Sequence, residues 1–150
     1  MALLCDALCP RGAVRADRAI SIAASSPIVF AWLRQLRIAP YSYDILDNFG
    51  RRSPRERDPE LLQLEIGQRF MTLFALESFV ADEQITLLAK GAAVTYAIRP
   101  DGAGSRLHVR VLFGGPTLLA RLLVLGDLVM MRKQLITLKS LAEREAAAIR

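Results

Sequence analysis

Three phenols and two carboxylates are the side chains of this sequence best suited to chemistry on a ligand. Tyr41, Tyr43 and Asp44 follow one another closely after a proline, while Glu77 and Tyr96 each interrupt an apolar run. A buried phenol can polarise a carbonyl, and a buried carboxylate with a raised pKa can act as a general base. The alternative is structural, because tyrosine hydroxyls and Asp side chains also anchor loops, and Glu77 could reach solvent.

Other kinds of site are not expected. The only histidine, His108, alternates with apolar residues and is predicted to point outward, which leaves no His-based triad. Cys5 and Cys9 lie near the start with no later cysteine, so they do not form a zinc pattern and are predicted to be unpaired. Gly102 and Gly104 lack the third glycine of a nucleotide fingerprint. The sequence therefore predicts no metal and no cofactor.

The chain pattern predicts strands that would position these groups. Alternation predicts a first strand over 18–24, and Ser25, Ser26 and Pro27 predict a short helix up to about residue 36. Residues 70–80, which include Phe74 and Phe79, are apolar on both sides of the alternation and predict a strand buried on both faces. Further strands are expected at 85–89, 93–99 and 106–113, the last two joined by a turn.

One long C-terminal helix is the largest predicted element. Gly114, Gly115 and Pro116 end the strands and begin a helix of about 30 residues. Its apolar stripe comprises Leu128, Met131, Leu135, Leu138 and Ala142, and over 117–131 the helix is apolar nearly all round. That half needs cover on more than one side. The stretch is interrupted by charge and is shorter than the ~20 residues of a membrane span, so no span is predicted.

Four segments carry a resemblance to a known group of proteins. They are residues 26–33 (SPIVFAWL), 39–44 (APYSYD), 47–54 (DNFGRRSP) and 126–135 (GDLVMMRKQL). With the order of elements over residues 17–147, the chain resembles an uncharacterised bacterial branch of the polyketide cyclase/dehydrase and lipid-transport superfamily, the START-like or SRPBCC group. The resemblance implies an α+β helix-grip fold, in which a curved antiparallel sheet wraps around the long C-terminal helix and encloses an apolar cavity. It carries over no catalytic residues.

Length and charge bound the remaining possibilities. The 150 residues suit one domain, predicted over 17–150 after a flexible segment over 1–16. The start of the chain lacks a basic n-region, so no secretory signal is expected. A cytoplasmic location is expected instead. Net charge is +5, but Arg51, Arg52, Arg55 and Arg57 share their loop with acidic residues that partly cancel their field. No nucleic-acid partner is expected.

The sequence leaves three functions open. The first is binding of a hydrophobic small molecule, such as a lipid, isoprenoid or polyketide, between sheet and helix, by a monomer or homodimer. The second is a cyclase or dehydratase with Glu77 or Asp44 as base, and the third is nucleic-acid binding through the Arg51–Arg57 loop. The residues predicted to contact the ligand are Tyr41, Tyr43, Phe74, Glu77, Phe79, Tyr96, Leu128 and Met131.

Overall fold

The computed structural model describes residues 3–8, 13–41, 51–114 and 117–149. Its regular elements are β1 (Val14–Ile22), α1 (Ser26–Arg34), β2 (Arg69–Phe70), β3 (Phe74–Val80), β4 (Gln84–Ala89), β5 (Ala92–Asp101), β6 (Gly104–Phe113) and α2 (Thr117–Ile149). Short 3-10 turns lie at Leu4–Ala7, Gln35–Arg37 and Pro59–Leu62. None of the helices formed by these residues combines the length and apolar character that crossing a bilayer requires.

The six strands form one antiparallel sheet in the order β1-β6-β5-β4-β3-β2. Strands β2 to β6 follow one another along the chain, whereas β1 pairs with β6 at the far edge. Tight turns make this meander possible, and at the β5–β6 turn Gly102 adopts a φ of 59° that an L side chain rarely tolerates. The helices α1 and α2 pack on one face of the sheet, called here the inner face. The predicted α+β helix-grip architecture is confirmed.

The first strand begins earlier than its pattern predicted. It starts at Val14, four residues before the expected start, and pairs with β6 along its whole length. Its side chains at Ala16, Arg18, Ile20 and Ile22 are the more buried members of the alternation. Arg18 therefore lies on the inner face, in the same set as the isoleucines.

The segment predicted as one strand over 70–80 is two strands separated by a turn. Met71 and Thr72 both have positive φ values, 46° and 67°, which places the turn between β2 and β3. The prediction that this strand is buried on both faces is wrong, because Leu73 is 78% exposed and Val80 is 44% exposed. The strand lies near the sheet's free edge, where one face is left to solvent.

A β-bulge at Glu77 changes which residues of β3 face inward. Before the bulge Leu76 pairs with Leu87, and after it Phe79 pairs with Ile85. Both partners on β4 are buried inner-face residues. One extra residue in β3 thus shifts the alternation by one position, so that Leu76 and Phe79 share a face although they are three residues apart.

The outer face of the sheet is covered by the N-terminal residues 3–8. Cys5 is buried and free there, and its backbone N–H donates to Thr95 Oγ1 at 3.2 Å. Arg110 is buried under this segment and forms ion pairs of 2.6 Å with Asp6 and Asp17. Residues 3–8 thus pack against the sheet. The flexible segment over 1–16 and the division of the chain at residue 17 stay predictions, and Cys9 lies outside the described residues.

Helix α2 buries most of its predicted stripe. Met131, Leu135, Leu138 and Ala142 are all buried against the core, as the spacing predicted. Leu128 departs from this pattern because it is 49% exposed. The side chains at 117–125, which carry most of the half-helix predicted to need extra cover, lie outside the part of the chain that the structure describes.

Substitutions at two glycines, one at the start of β6 and one on α2, should change the stability in opposite directions. A Cβ at Gly104 would overlap the carbonyl oxygen of Ile22, whereas a Cβ at Gly126 on α2 would meet no atom of the described residues within 4 Å. We expect Gly104→Ala to lower the free energy of unfolding by about 1–3 kcal/mol. Gly126→Ala should raise it by about 0.5–1 kcal/mol, since alanine favours the helix. Urea denaturation measures both, and equal stability of the two variants would contradict the described contact of β6 with β1.

Candidate functional site

One row of side chains crosses the inner face of the sheet from edge to edge. Strand register places Phe79, Ile85, Tyr96, Val109 and Arg18 directly opposite one another on β3, β4, β5, β6 and β1. We call these five residues the Tyr96 row. Its three central members are at most 1% exposed. The row combines apolar side chains with a phenol and a guanidinium, and both polar groups have partners on α2.

Tyr96 is tied to the helix by a complete hydrogen-bond arrangement. Its hydroxyl donates to Gln134 Oε1 at 2.7 Å, and Gln134 Nε2 donates to the carbonyl oxygen of Pro40 at 2.6 Å. Gln134 Nε2 also lies 3.4 Å from Met71 Sδ. Burial, and then the nearby charge of Asp127, raise the pKa of Tyr96 far above its ordinary value, against the opposing effect of the Gln134 hydrogen bond. Tyr96 is therefore a neutral hydrogen-bond donor at any physiological pH.

Arg18 is paired with Asp127 less completely. Nη2 of Arg18 lies 3.4 Å from Oδ2 of Asp127, and the side chains are 12% and 17% exposed. Neither Arg18 Nε nor Asp127 Oδ2 has a hydrogen-bond partner among the described residues. Burial raises the pKa of the Asp127 carboxyl, and the Arg18 charge offsets this only in part. Unsatisfied buried polar atoms are rare in folded proteins and require an explanation.

The spacing of Asp127 and Gln134 on α2 explains how both can contact the Tyr96 row. Asp127 and Gln134 are seven residues apart on α2, so they share a helix face and are separated by about 10 Å along its axis. Their partners, Arg18 and Tyr96, are two strand steps apart, which is also about 10 Å. Met131, which is buried, lies between the two helix residues on the same face. Helix α2 therefore faces the Tyr96 row with two polar side chains, Asp127 and Gln134, and with the apolar Met131 between them.

Sequence reasoning missed Arg18, Asp127 and Gln134. The signal was present, since Arg18 alternates with two isoleucines in β1, and positions 127 and 134 continue the spacing of the apolar helix stripe. A charged residue at an inward position contradicts the usual pattern, so the alternation alone did not single out Arg18 as a site residue.

The structure places three predicted ligand residues in the interior. Tyr96 and Met131 lie between sheet and helix, as described above. Tyr41 is also buried, with a φ of 55°, and its ring meets Trp32 edge-on at a centroid distance of 6.1 Å. Their role in binding stays a prediction. Tyr43 and Asp44 lie outside the described residues.

The other predicted ligand residues are not brought together with these. Glu77 is exposed at the bulge of β3, and Leu128 is exposed on α2. Phe79 belongs to the Tyr96 row but is 37% exposed at its edge. Phe74 is half-buried and contacts the edge of the core. Glu77 is therefore poorly placed to act as a base on a molecule held between sheet and helix.

Two open clefts are lined by residues that the structure describes. One, of about 580 Å³, lies at the β2–β3 and β4–β5 turns, and Phe74, Leu73, Arg69 and Lys90 contribute to its walls. A smaller one of about 300 Å³ lies beside the end of β1. Neither is the predicted cavity between sheet and helix. Its wall was predicted to include side chains of 117–125, which lie outside the described residues, so its volume stays a prediction.

The arginine-rich loop is tied to the rest of the protein. Arg57 forms an ion pair with Glu145 of α2, and the same carboxylate accepts a hydrogen bond from Trp32 Nε1 at 2.9 Å. Arg144 donates to the carbonyl oxygen of Arg55. These contacts use the charge of Arg57 within the protein, which weakens the case for nucleic-acid binding by this loop. Within the described ranges, no three acidic, His or Cys side chains are grouped as metal ligands would be.

Comparison with known proteins shows the fold. No family model matches the chain, and no curated protein sequence matches it. Among solved structures, the di-domain ARO/CYC StfQ from the steffimycin biosynthetic pathway aligns with a TM-score of 0.57 and 12% identity over 90% of this chain. The chain spans 52% of StfQ. Protein MLL2253 from Mesorhizobium loti aligns at 0.59 and 12% identity, with 87% and 98% of the two chains covered. The KanY protein aligns at 0.57 and 16% identity, with 88% and 99% covered.

The link between Tyr96 and Gln134 can be measured by a double-mutant cycle. Tyr96→Phe leaves Gln134 Oε1 buried without its donor, and Gln134→Leu leaves the Tyr96 hydroxyl without its acceptor. We expect each single change to lower the free energy of unfolding by about 1–3 kcal/mol. The double variant should lose less than the sum of the two, because the shared hydrogen bond is lost once. Strictly additive losses in urea denaturation would show that the two side chains do not interact.

Proposed function

We propose that this protein binds a hydrophobic small molecule between the inner face of the sheet and α2. The observation that carries the proposal is the Arg18–Asp127 pair, which lies on a mostly apolar face and has buried atoms without a hydrogen-bond partner among the described residues. In a filled core such a pair costs desolvation without compensation. In a binding site the same groups would fix the orientation of a bound molecule.

The surroundings of the pair support this proposal. Small-molecule sites are mostly apolar, with a few well-placed polar groups that provide specificity. The Tyr96 row has this composition, with Ile85 and Val109 next to the phenol and guanidinium. The likeness in fold to StfQ, an ARO/CYC of a biosynthetic pathway, is consistent with a polyketide-like ligand, and lipids and isoprenoids share the required apolar character.

A cyclase or dehydratase activity is the second candidate. It is favoured by the raised pKa of Asp127, whose carboxyl would serve as an acid or base on a bound molecule in place of the exposed Glu77. Tyr96 already donates its hydroxyl hydrogen to Gln134, so it would not polarise a ligand carbonyl without breaking that bond. Binding therefore needs fewer assumptions than turnover.

Native mass spectrometry of the purified full chain is the most direct test. We expect a stoichiometric apolar molecule to remain bound and to be recovered by organic extraction. Its incubation with fresh protein then separates binding from turnover, because only an enzyme would change its mass or structure. Protein of bare polypeptide mass that also fails to take up 1-decanol or decanoic acid would overturn the proposal.

A pair of neighbouring substitutions on β6 distinguishes the two faces of the sheet. Val109→Phe adds bulk to the Tyr96 row and should weaken binding of the extracted molecule at least tenfold. His108→Phe, one residue away on the outer face, should leave binding unchanged. If Val109→Phe does not fold, as judged by a thermal melt, Val109→Leu supplies a smaller increment. Equal effects of the substitutions at the two positions would contradict binding on the inner face.

A further inference from the structure

Arg18 is a largely buried arginine whose hydrogen-bonding capacity is only partly used by the described residues. A guanidinium offers its donors in a planar fork. The one ionic contact that the described residues provide is the 3.4 Å approach to Asp127, and Nε has no hydrogen-bond partner among them. Among the described residues, Arg18 therefore has one carboxylate at a long distance and a buried Nε donor without an acceptor.

Asp127 is an incomplete counter-ion for this cation. Its Oδ2 is the atom nearest to Arg18, yet that oxygen accepts no hydrogen bond within the described part of the chain. The burial that raises its pKa shows that the carboxylate form is poorly solvated where it stands. Burial thus favours the protonated form of Asp127 relative to an exposed aspartate, and a second negative charge nearby would favour it further.

We propose that the bound molecule is an acidic amphiphile whose carboxylate is held by Arg18 while Asp127 takes up one proton from solvent. This inference rests on the proposed function and names the chemical class of its ligand. The charges balance, because the ligand anion replaces Asp127 as the counter-ion of Arg18. The neutral Asp127 carboxyl then donates its new hydrogen to the ligand carboxylate instead of repelling it.

The geometry favours a carboxylate over an alcohol or ketone. Two parallel N–H donors of a guanidinium match the two oxygens of a carboxylate, and such charge-assisted pairs are stronger than neutral hydrogen bonds. The neutral oxygen of an alcohol or ketone would accept a hydrogen bond from one donor. It would not supply a counter-ion for Arg18.

Asp127 is the group in this region whose protonation would change. Among the described groups, Arg18 of β1 lowers the pKa of Asp127, and Asp127 in turn raises that of Tyr96 on β5. Tyr96 remains neutral with its hydrogen directed to Gln134. Affinity for an acid should therefore fall as pH rises. Asp127 must take up a proton from solvent in the complex, and the free proton concentration falls with rising pH.

Titration calorimetry with decanoic acid and 1-decanol tests the inference on the full chain. The two probes have the same carbon number and differ in the head group. At pH 7, where decanoic acid is ionised, we expect it to bind at least tenfold more tightly than 1-decanol. Repeating the titration in two buffers with different ionisation enthalpies should show uptake of up to one proton with the acid and none with the alcohol.

Three variants assign the effect to these residues. Arg18→Gln should lower the affinity for decanoate at least tenfold and leave that for 1-decanol within twofold. Asp127→Asn should still bind decanoate but without proton uptake and with an affinity independent of pH between 6 and 8. Arg15→Gln is the matched control, because Arg15 lies on the same strand but is exposed and paired with Asp17. Thermal melts confirm that each variant is folded.

The outcomes separate this inference from the proposed function. If 1-decanol binds as tightly as decanoate, or if Arg18→Gln weakens both equally, the acidic-ligand inference is overturned while hydrophobic binding stands. Proton uptake that persists in Asp127→Asn would also overturn it, since another group would be responsible. Failure of both probes to bind the wild-type protein would overturn the proposed function and the inference together.

Discussion

The hydrogen bond between Tyr96 and Gln134 is the contact on which the arrangement of helix and sheet depends. Apolar packing alone would allow α2 to slide or rotate over the inner face, because contacts between aliphatic side chains have little directional preference. A buried hydroxyl and a buried amide, in contrast, must meet at hydrogen-bond distance or lose a partner. Gln134 also holds the carbonyl oxygen of Pro40, so the same amide positions the chain that enters the site after α1. One side chain therefore sets the register of helix, sheet and connecting segment.

The bulge at Glu77 has a comparable role at the sheet's free edge. Without it, strict alternation would place Phe79 on the outer face together with Ala75. The extra residue instead returns Phe79 to the inner face opposite Ile85 and extends the Tyr96 row to the edge of the sheet. Glu77 occupies the irregular position, which explains why a charged residue is tolerated within an apolar run. The same irregularity gives the row an aromatic, partly exposed end.

The sequence predicted the fold well because the fold depends on patterns that are local. Alternation in β6, the proline at the start of α1 and the 3.6-residue spacing of Met131, Leu135 and Leu138 all correspond to observed elements. The site was predicted less well because it depends on pairing between distant strands. Alternation cannot reveal a bulge, which is why Glu77 was predicted, like Phe79, to contact the ligand although the bulge separates the two. Nor does an Arg next to an Asp in β1 indicate that one of them faces a helix more than one hundred residues later.

The position of Arg18 is the strongest argument that the inner face does more than fill the core. At the corresponding positions in neighbouring strands the same row carries Val109 and Ile85, and an aliphatic residue in β1 would complete the row without desolvating a charge. The Arg110 cation on the outer face shows how this chain buries a guanidinium for structure, with two carboxylates at 2.6 Å. Arg18 has one carboxylate at a longer distance, and its Nε has no hydrogen-bond partner among the described residues. This contrast between two arginines of one sheet supports the proposal that Arg18 takes a partner from outside the chain.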